Sequence, residues 1–265
     1  MAEHEEAFVK VTDVYKTYTT SKGQLRAIEG LSCSVNKGTF ITIVGPSGCG
    51  KSTFLKILAG LLPYDAGEVI VDGTVVQKPL GKKVGMVFQK PLLMPWLRVI
   101  DNVLFPLTIL GEKATNYKEK AMDLLEMVRI KDFADRYPFE LSGGMQQRVA
   151  ICRALIYDPE LLLMDEPFGA LDAMTRDILN LELLRLWETK RKTIIFVTHS
   201  IQEAVFLADQ VFVMTKRPAK IKEIVPIDLP RPRSMEAKGQ SKYGEYVVYV
   251  YKLLQHEFKE GKHEL

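Results

Sequence analysis

The sequence predicts an α/β protein: a parallel sheet covered by helices, with a smaller antiparallel region and an inserted helical segment. Three observations carry this. Short β-rich runs alternate with helical patterns along most of the chain, which is how a parallel sheet with crossover helices reads. Phe40-Ile-Thr-Ile-Val44 and Leu161-Leu-Leu-Met164 are nearly unbroken apolar runs, as strands buried on both faces require. Between Pro91 and about Pro159 such runs disappear and helix-period spacing takes over.

Each element follows in order. After the 40–44 strand and a glycine-rich turn, Phe54, Leu55 and Leu58 begin a helix. Val69 to Val76 reads as two strands joined at Asp72-Gly73, a strong hairpin signal that adds antiparallel sheet to the early part. Val84 to Phe88 is another strand. Within the helical region, Lys118 to Ile130 sets Ala121, Leu124, Leu125 and Val128 on one apolar stripe. Beyond the 161–164 strand a helix carries Met174, Ile178, Leu181, Leu184 and Trp187 on one side, and Thr193 to Thr198 is the next strand. Ser200-Ile-Gln-Glu203 has the form of a capping box, continued by Ile201, Ala204, Val205 and Ala208. Pro226, Pro230 and Pro232 then demand an extended path. Val247, Val250, Tyr251, Leu254 and Phe258 form a last amphipathic stripe.

A length of 265 residues leaves room for a sizeable core. With 47% apolar and 26% charged residues the chain is not disordered, collagen-like or a disulfide scaffold. Thirty-six basic against 33 acidic residues gives +3, an excess too small and too spread to suggest a nucleic-acid binder. Cys33, Cys49 and Cys152 lie far apart, as suits a reducing compartment. Met1 to Glu6 is acidic, so no secretory leader is expected. No apolar stretch approaches the roughly 18 residues that span a bilayer, so any work at a membrane is expected to run through a partner or from one side.

Gly45-Pro-Ser-Gly-Cys-Gly50-Lys51-Ser52 fits G-x-x-x-x-G-K-[ST] between an apolar strand and a helix, the context that motif needs. Its glycines let backbone N–H groups turn inward as an anion nest, with the helix N-terminus adding positive potential. Lys51 supplies a cation for β- and γ-phosphates, and Ser52 a hydroxyl for Mg²⁺. The strand Leu161-Leu-Leu-Met-Asp165-Glu166-Pro167 ends in two acids at the sheet edge where such ligands bind. There Asp165 suits Mg²⁺ and Glu166 suits proton abstraction from an attacking water. Leu141-Ser142-Gly143-Gly144-Met-Gln-Gln-Arg148 starts a further helix with a good N-cap and bare glycine amides. Read plainly it is an ordinary cap; read chemically it is a second anion-binding helix start, more than one nucleotide needs.

Together these motifs resemble the nucleotide-binding subunit of ABC transporters, over nearly the whole chain up to about residue 225. The resemblance implies a P-loop NTPase (RecA-like) core over 1–225, with the helical subdomain at about 91–159. The remainder, 226–265, is expected to be an extended segment and a short helix. It implies ATP and Mg²⁺ as ligands, with Gly45, Pro46, Ser47, Gly48, Cys49, Gly50, Lys51, Ser52 and Thr53 on the nucleotide. It implies a homodimer in which Ser142, Gly143 and Gly144 of one copy close on the γ-phosphate held by the other. Gln89 then matches the residue contacting Mg²⁺ and water, although alone it reads as a polar strand end. His199 matches the switch that senses the γ-phosphate. Tyr18 matches the adenine-stacking aromatic, with Tyr15 as competitor and core packing open for either. Asp172 lies at the dimer seam or caps a helix, or does both.

In the same family the loop Pro91-Leu-Leu-Met-Pro-Trp96-Leu97 belongs to a groove receiving a cytoplasmic helix of the membrane permease subunits, though part of so apolar a run is also core. Its Met-Pro-Trp form, with Leu229-Pro-Arg-Pro-Arg233 and the short tail, is similar to importers of nitrate, sulfonate, taurine and related solutes. An extracytoplasmic solute-binding protein and a peripheral place on the cytoplasmic face of the membrane follow from that likeness. Relatives acting on DNA or ribosomes carry long coiled-coil insertions or fused cassettes, and neither is present here. A module that senses ATP without turnover would not need Glu166 and His199.

Overall fold

The computed structural model describes residues 7–21, 23–169 and 171–259, and of residues 256, 258 and 259 the backbone alone. The acidic Met1–Glu6 segment, Ala170 and the Phe258 side chain lie outside that description. A long hairpin opens the chain: β1 (Val9–Thr20) pairs antiparallel with β2 (Gly23–Val35). β4 (Ala66–Val71) lies along the other side of β1 and turns at Asp72-Gly73 into β5 (Thr74–Val75), giving the order β2-β1-β4-β5. Asp72 at φ 47° and Gly73 at φ 67° are both left-handed, as a type I′ hairpin turn requires.

The second sheet has the order β10-β9-β3-β8-β7-β6. Its parallel part is β3 (Phe40–Val44), β6 (Val84–Val87), β7 (Leu161–Asp165), β8 (Thr193–Val197) and β9 (Gln210–Met214), and β10 (Ile221–Pro226) adds an antiparallel edge. Seven helices cover it among the described residues: α1 (Lys51–Leu58), α2 (Val99–Ile109), α3 (Lys118–Met127), α4 (Gly143–Leu155), α5 (Ala173–Lys190), α6 (Ile201–Leu207) and α7 (Ser241–Lys259).

The unbroken apolar runs have a simple cause. Side chains alternate across a strand, and here each face has its own core. Phe40 and Val44, Leu162 and Met164, Ile194 and Phe196, Val211 and Val213 face the helices α2 to α7. Ile41 and Ile43, Leu161 and Leu163, Ile195 and Val197, Phe212 and Met214 face α1 and the antiparallel sheet. Both positions of the period are therefore apolar. The carboxyl ends of β3, β6, β7 and β8 consequently meet at one edge, where the loops after them converge.

Several expectations are corrected in detail. The helix expected to reach Ile130 ends at Met127, because Arg129 turns left-handed (φ 57°) and the Ile130 N–H donates back to Leu125 O at 2.9 Å, a glycine-free version of a common helix stop. Ala121, Leu124, Leu125 and Val128 are buried as the stripe predicts. On α5 the stripe holds only in its later turns: Leu184 and Trp187 are buried, but Met174 is 78% exposed and Ile178 is exposed too. Burial starts at Leu179 and runs through Leu183 and Leu186, since the first turns project beyond the core. In the last stripe Val250 and Leu254 are buried, whereas Tyr251 is exposed.

The Leu229–Arg233 segment is extended and serves as a clamp. Arg233 is buried, and its Nη1 donates to Phe206 O at 2.8 Å and Ala208 O at 2.9 Å, carbonyls at the C-terminal end of α6. A cation suits that end of a helix dipole, although burial pulls Arg233 down to about 10. Arg231 donates to Asp209 Oδ1 at 2.8 Å, with its guanidinium 4.2 Å from the Trp187 ring centre.

Candidate active site

The phosphate loop leaves β3 at Val44 and enters α1 at Lys51. Gly50 is the N-cap at φ 129°, and a methyl there would come 3.1 Å from Ala27 O, so only glycine fits. α1 has no side-chain cap, and its first-turn amides have no partner inside the helix. Lys51 is nearly buried, its Nζ donating to Gly45 O at 2.9 Å and Pro46 O at 3.0 Å. A cleft of about 330 Å³ opens here, lined by Ser47, Gly48, Gly50, Lys51, Ser52, Thr53, Glu166 and His199. Cys49 is buried beneath the loop.

β7 delivers the two acids. Ser52 Oγ donates to Asp165 Oδ1 at 2.9 Å. Burial raises the Asp165 carboxyl above its ordinary range, opposed by the Ser52 hydroxyl and increased by the neighbouring Glu166 charge. Glu166 is left-handed at φ 47°, with its N–H donating to Val197 O at 3.0 Å. A non-glycine residue held there is strained, and the twist turns its side chain into the cleft while its amide stays tied to β8. Gln89, two residues beyond β6, donates from Nε2 to Glu166 Oε2 at 3.1 Å. His199, two residues beyond β8, has Nδ1 2.9 Å from Glu166 Oε1. The structure thus brings Lys51, Ser52, Gln89, Asp165, Glu166 and His199 together at one sheet edge.

Tyr18 is separated from Tyr15 by its neighbour: its hydroxyl lies 3.1 Å from Thr53 Oγ1 at the start of α1. Tyr15 instead sits over Asp13 and Gly30, and Asp13 raises its pKa. Ser142, Gly143 and Gly144 are not among the residues lining the cleft. They start α4, where Ser142 Oγ accepts the Met145 N–H at 3.3 Å, and a methyl on Gly144 would stand 3.3 Å from Thr175 Cγ2 and 3.6 Å from Leu171 Cδ2. Asp172 caps α5, accepting the Thr175 N–H at 2.9 Å; the Thr175 hydroxyl and amide hold its carboxyl below the ordinary range.

A second opening of about 330 Å³, apolar in character, lies beyond Gln89 among Met86, Phe88, Leu92, Met94, Phe105, Ile109 and Tyr157. Its loop is organised by Asn102, fully buried on α2. Asn102 accepts the Met94 N–H at 2.7 Å and donates to Met94 O, Leu97 O and Arg98 O at 2.9–3.1 Å. Trp96 stands outside it, 70% exposed.

Two contacts escape sequence reasoning. Arg217 donates from Nε and Nη2 to Gly48 O at 3.2 and 2.9 Å, bracing the phosphate loop from 169 residues away. The other is Glu203: only half of the expected capping box forms. Ser200 Oγ accepts the Glu203 N–H at 3.3 Å, but the Glu203 carboxylate accepts the Thr198 hydroxyl instead of the Ser200 amide. The Ser200 N–H donates to the Thr198 oxygen at 3.0 Å instead, so Thr198 stands between the two halves of the box.

An uncapped helix N-terminus and a lysine lining one cleft suit one class of ligand, the phosphates of a nucleotide. Residues 28–169 match the family model described as ABC transporter, and the chain belongs to that family. An uncharacterized ABC transporter ATP-binding protein of Methanocaldococcus jannaschii is 46% identical over 244 residues, covering 92% of this chain and 91% of its own. The aliphatic sulfonates import ATP-binding protein SsuB of Bacillus cereus is 46% identical over 231 residues, 87% of this chain and 90% of its own. Among solved structures, the bacterial ABC transporter cassette MJ0796, captured as a dimer, superposes with a TM-score of 0.75 at 32% identity. That match covers 84% of this chain and all of the cassette. A post-hydrolysis form of the same cassette, bound to ADP and Pi, gives 0.73 with the same identity and coverage. The chain is accordingly the ATP-binding subunit of an ABC system and an ATPase.

Proposed function

We propose that this ATPase powers a membrane importer, and that its catalytic centre is the Glu166 carboxylate held between Gln89 and His199. The observation that carries the reading is that double contact at the mouth of the phosphate cleft. Gly45 to Thr53 wrap the phosphates, Lys51 neutralises the β- and γ-groups, and Tyr18 stacks on the base. Glu166 takes a proton from the attacking water as its oxygen bonds to the γ-phosphorus in line. The bond to the β-phosphate oxygen then breaks, and ADP leaves with the electron pair. His199 donates to the γ-phosphate, and Gln89 orients the water.

Ser52 and Asp165 supply hard oxygens already 2.9 Å apart. No cluster of three acidic, histidine or cysteine ligands exists among the described residues, which suits an ion that keeps waters and arrives on phosphates, as Mg²⁺ does. Ser52, Asp165 and the Gln89 carbonyl would hold it, and it would spread the charge developing on the phosphates.

The likeness to a dimeric cassette supports a homodimer. Ser142, Gly143, Gly144 and Asp172 stand away from their own cleft, so we read them as contacts to the nucleotide of a second copy; the cassette MJ0796 is itself a dimer. Residues 1–225 form the ATPase unit, with 91–159 as its helical subdomain and 226–265 as an extended clamp and helix. No helix among the described residues is long and apolar enough to cross a membrane, and the apolar opening beside Trp96 suits a helix of a permease subunit on the cytoplasmic face. The likeness to SsuB favours an aliphatic sulfonate, and the resemblance carried by the Met-Pro-Trp loop extends the range to nitrate, taurine or a related small solute, delivered by an extracytoplasmic binding protein. The test is reconstitution: the chain and its copurifying membrane subunits in vesicles with MgATP, each candidate solute offered through its receptor. Uptake coupled to phosphate release supports the reading. Turnover indifferent to every membrane component overturns it.

A further inference from the structure

Behind the switch histidine lies a buried carboxylate that the cleft chemistry leaves unused. Glu203 of α6 is 6% exposed. Its Oε2 accepts the Thr198 hydroxyl at 2.5 Å, and the Thr198 oxygen accepts the Ser200 N–H at 3.0 Å. A hydroxyl has one proton to give, so that proton is committed to Glu203 while the oxygen holds Ser200. Both neighbours of His199 are therefore fixed to one carboxylate. His199 itself is exposed, and among the described residues its side chain makes one polar contact, Nδ1 to Glu166 Oε1.

On its far side Glu203 faces Asn180 and Arg176 of α5. Arg176 Nη2 donates to Leu171 O at 2.9 Å, next to the Asp172 cap. The Asn180 amide hydrogen-bonds the Glu203 carboxyl and the Arg176 charge favours its ionised form, while Arg176 Nε itself is buried without a hydrogen-bond partner. A position serving only to fill space would be better occupied by an apolar side chain. The feature that an apolar residue cannot reproduce is the grip on Thr198.

We propose that Glu203 is a positioning residue for hydrolysis, aiming His199 at the γ-phosphate by fixing the 198–200 backbone through the Thr198 hydroxyl. This rests on the assignment of His199 as the γ-phosphate contact. The chain is tested whole, with MgATP. Thr198→Val removes the hydroxyl at nearly constant volume, and Glu203→Ala removes the acceptor. Each is expected to lower kcat about 10- to 100-fold, the scale of a small misplacement, with KM for ATP within about twofold. Thr198→Ser and Glu203→Gln keep donor and acceptor and should stay within about threefold. In a His199→Ala background, Thr198→Val should cost nothing further, since coupled residues are not additive.

Wild-type kcat in Thr198→Val overturns the proposal, as does an equal loss with and without His199. A rise in KM at unchanged kcat does so too. If Glu203→Ala does not fold, the Thr198 pair and the double variant decide alone. Full turnover by His199→Ala would instead remove the switch assignment, and a kcat loss from Thr198→Val beside it would show that the hydroxyl acts elsewhere.

Discussion

Glu166 and His199 come from the ends of adjacent strands and meet at 2.9 Å, Nδ1 to Oε1. The other Glu166 oxygen accepts from Gln89 at 3.1 Å, and the residue's left-handed backbone is tied to β8 through Val197 O. A carboxylate held on both oxygens at the mouth of a phosphate cleft is pre-aimed, which is what proton abstraction from a positioned water requires. Glu166→Gln keeps the shape and loses the base. It should bind ATP as wild type does while turnover falls on the order of 10²–10⁴-fold, measured as phosphate release beside equilibrium nucleotide binding. Turnover near wild type would move the base to another residue.

The displacement of Ser142 from its own cleft leads to a mixing experiment. Lys51→Ala damages the phosphate loop of a copy, and Ser142→Arg damages the surface it offers to a partner. Each homodimer is expected to be inactive, because every composite site then lacks one half. A mixed dimer contains one site with both halves intact, so combining the two inactive proteins should restore hydrolysis. If the mixture stays as inactive as its components, or if Ser142→Arg alone turns over normally, the sites are not shared between copies.

Much of this was legible because the chemistry is local. The phosphate loop and the Asp165-Glu166 strand end each fit within a few consecutive residues, and the β3, β7 and β8 runs are apolar because two cores claim alternate side chains. What was not legible is long-range or depends on where a helix meets the core. The 12- and 13-residue strands β1 and β2 carry register shifts between Val11 and Thr17 that break the alternation by which a strand is read. Met174 and Ile178 continue the period of α5 yet precede the point where it reaches the sheet. Arg217 contacts Gly48 for reasons of packing that no sequence window contains, and Glu203 takes the Thr198 hydroxyl in place of its own cap.

Asn102 of α2 holds the loop that carries Trp96, and the two residues should fail in opposite ways. Asn102 satisfies four backbone groups of residues 94–98 from a fully buried position. Asn102→Leu leaves the Met94 N–H and Leu97 O unpaired, whereas Met94 O and Arg98 O keep the backbone N–H groups of Leu97 and of residue 102. It should cost about 2–4 kcal/mol in unfolding free energy, read by denaturant titration. Trp96 is 70% exposed, so Trp96→Ala should change stability by less than about 0.5 kcal/mol and leave nucleotide binding by the isolated subunit intact. Its loss should appear only with the membrane subunits present, as hydrolysis no longer stimulated by them. Weakened ATP affinity in Trp96→Ala would mean that the indole supports the cleft and not a partner.

The last helix is fastened next to the phosphate loop by one carboxylate. Glu257 Oε1 accepts from Lys222 Nζ at 2.7 Å and Oε2 from the Lys216 N–H at 3.0 Å. Lys216 adjoins Arg217, the residue that braces Gly48. Burial pushes the Glu257 carboxyl up, but the Lys222 and Lys216 contacts outweigh it and leave the folded value below the ordinary one. The sign follows from linkage: the unfolded chain binds the proton more readily, so the contribution is complete above the ordinary glutamate range, near pH 4.3, and fades as pH falls through the lowered folded value. Glu257→Gln should therefore be less stable than wild type at pH 7 by about 1–2 kcal/mol, and the two melting curves should converge between about pH 5 and pH 3. A gap of the same size at every pH would assign the loss to packing of α7 and not to charge.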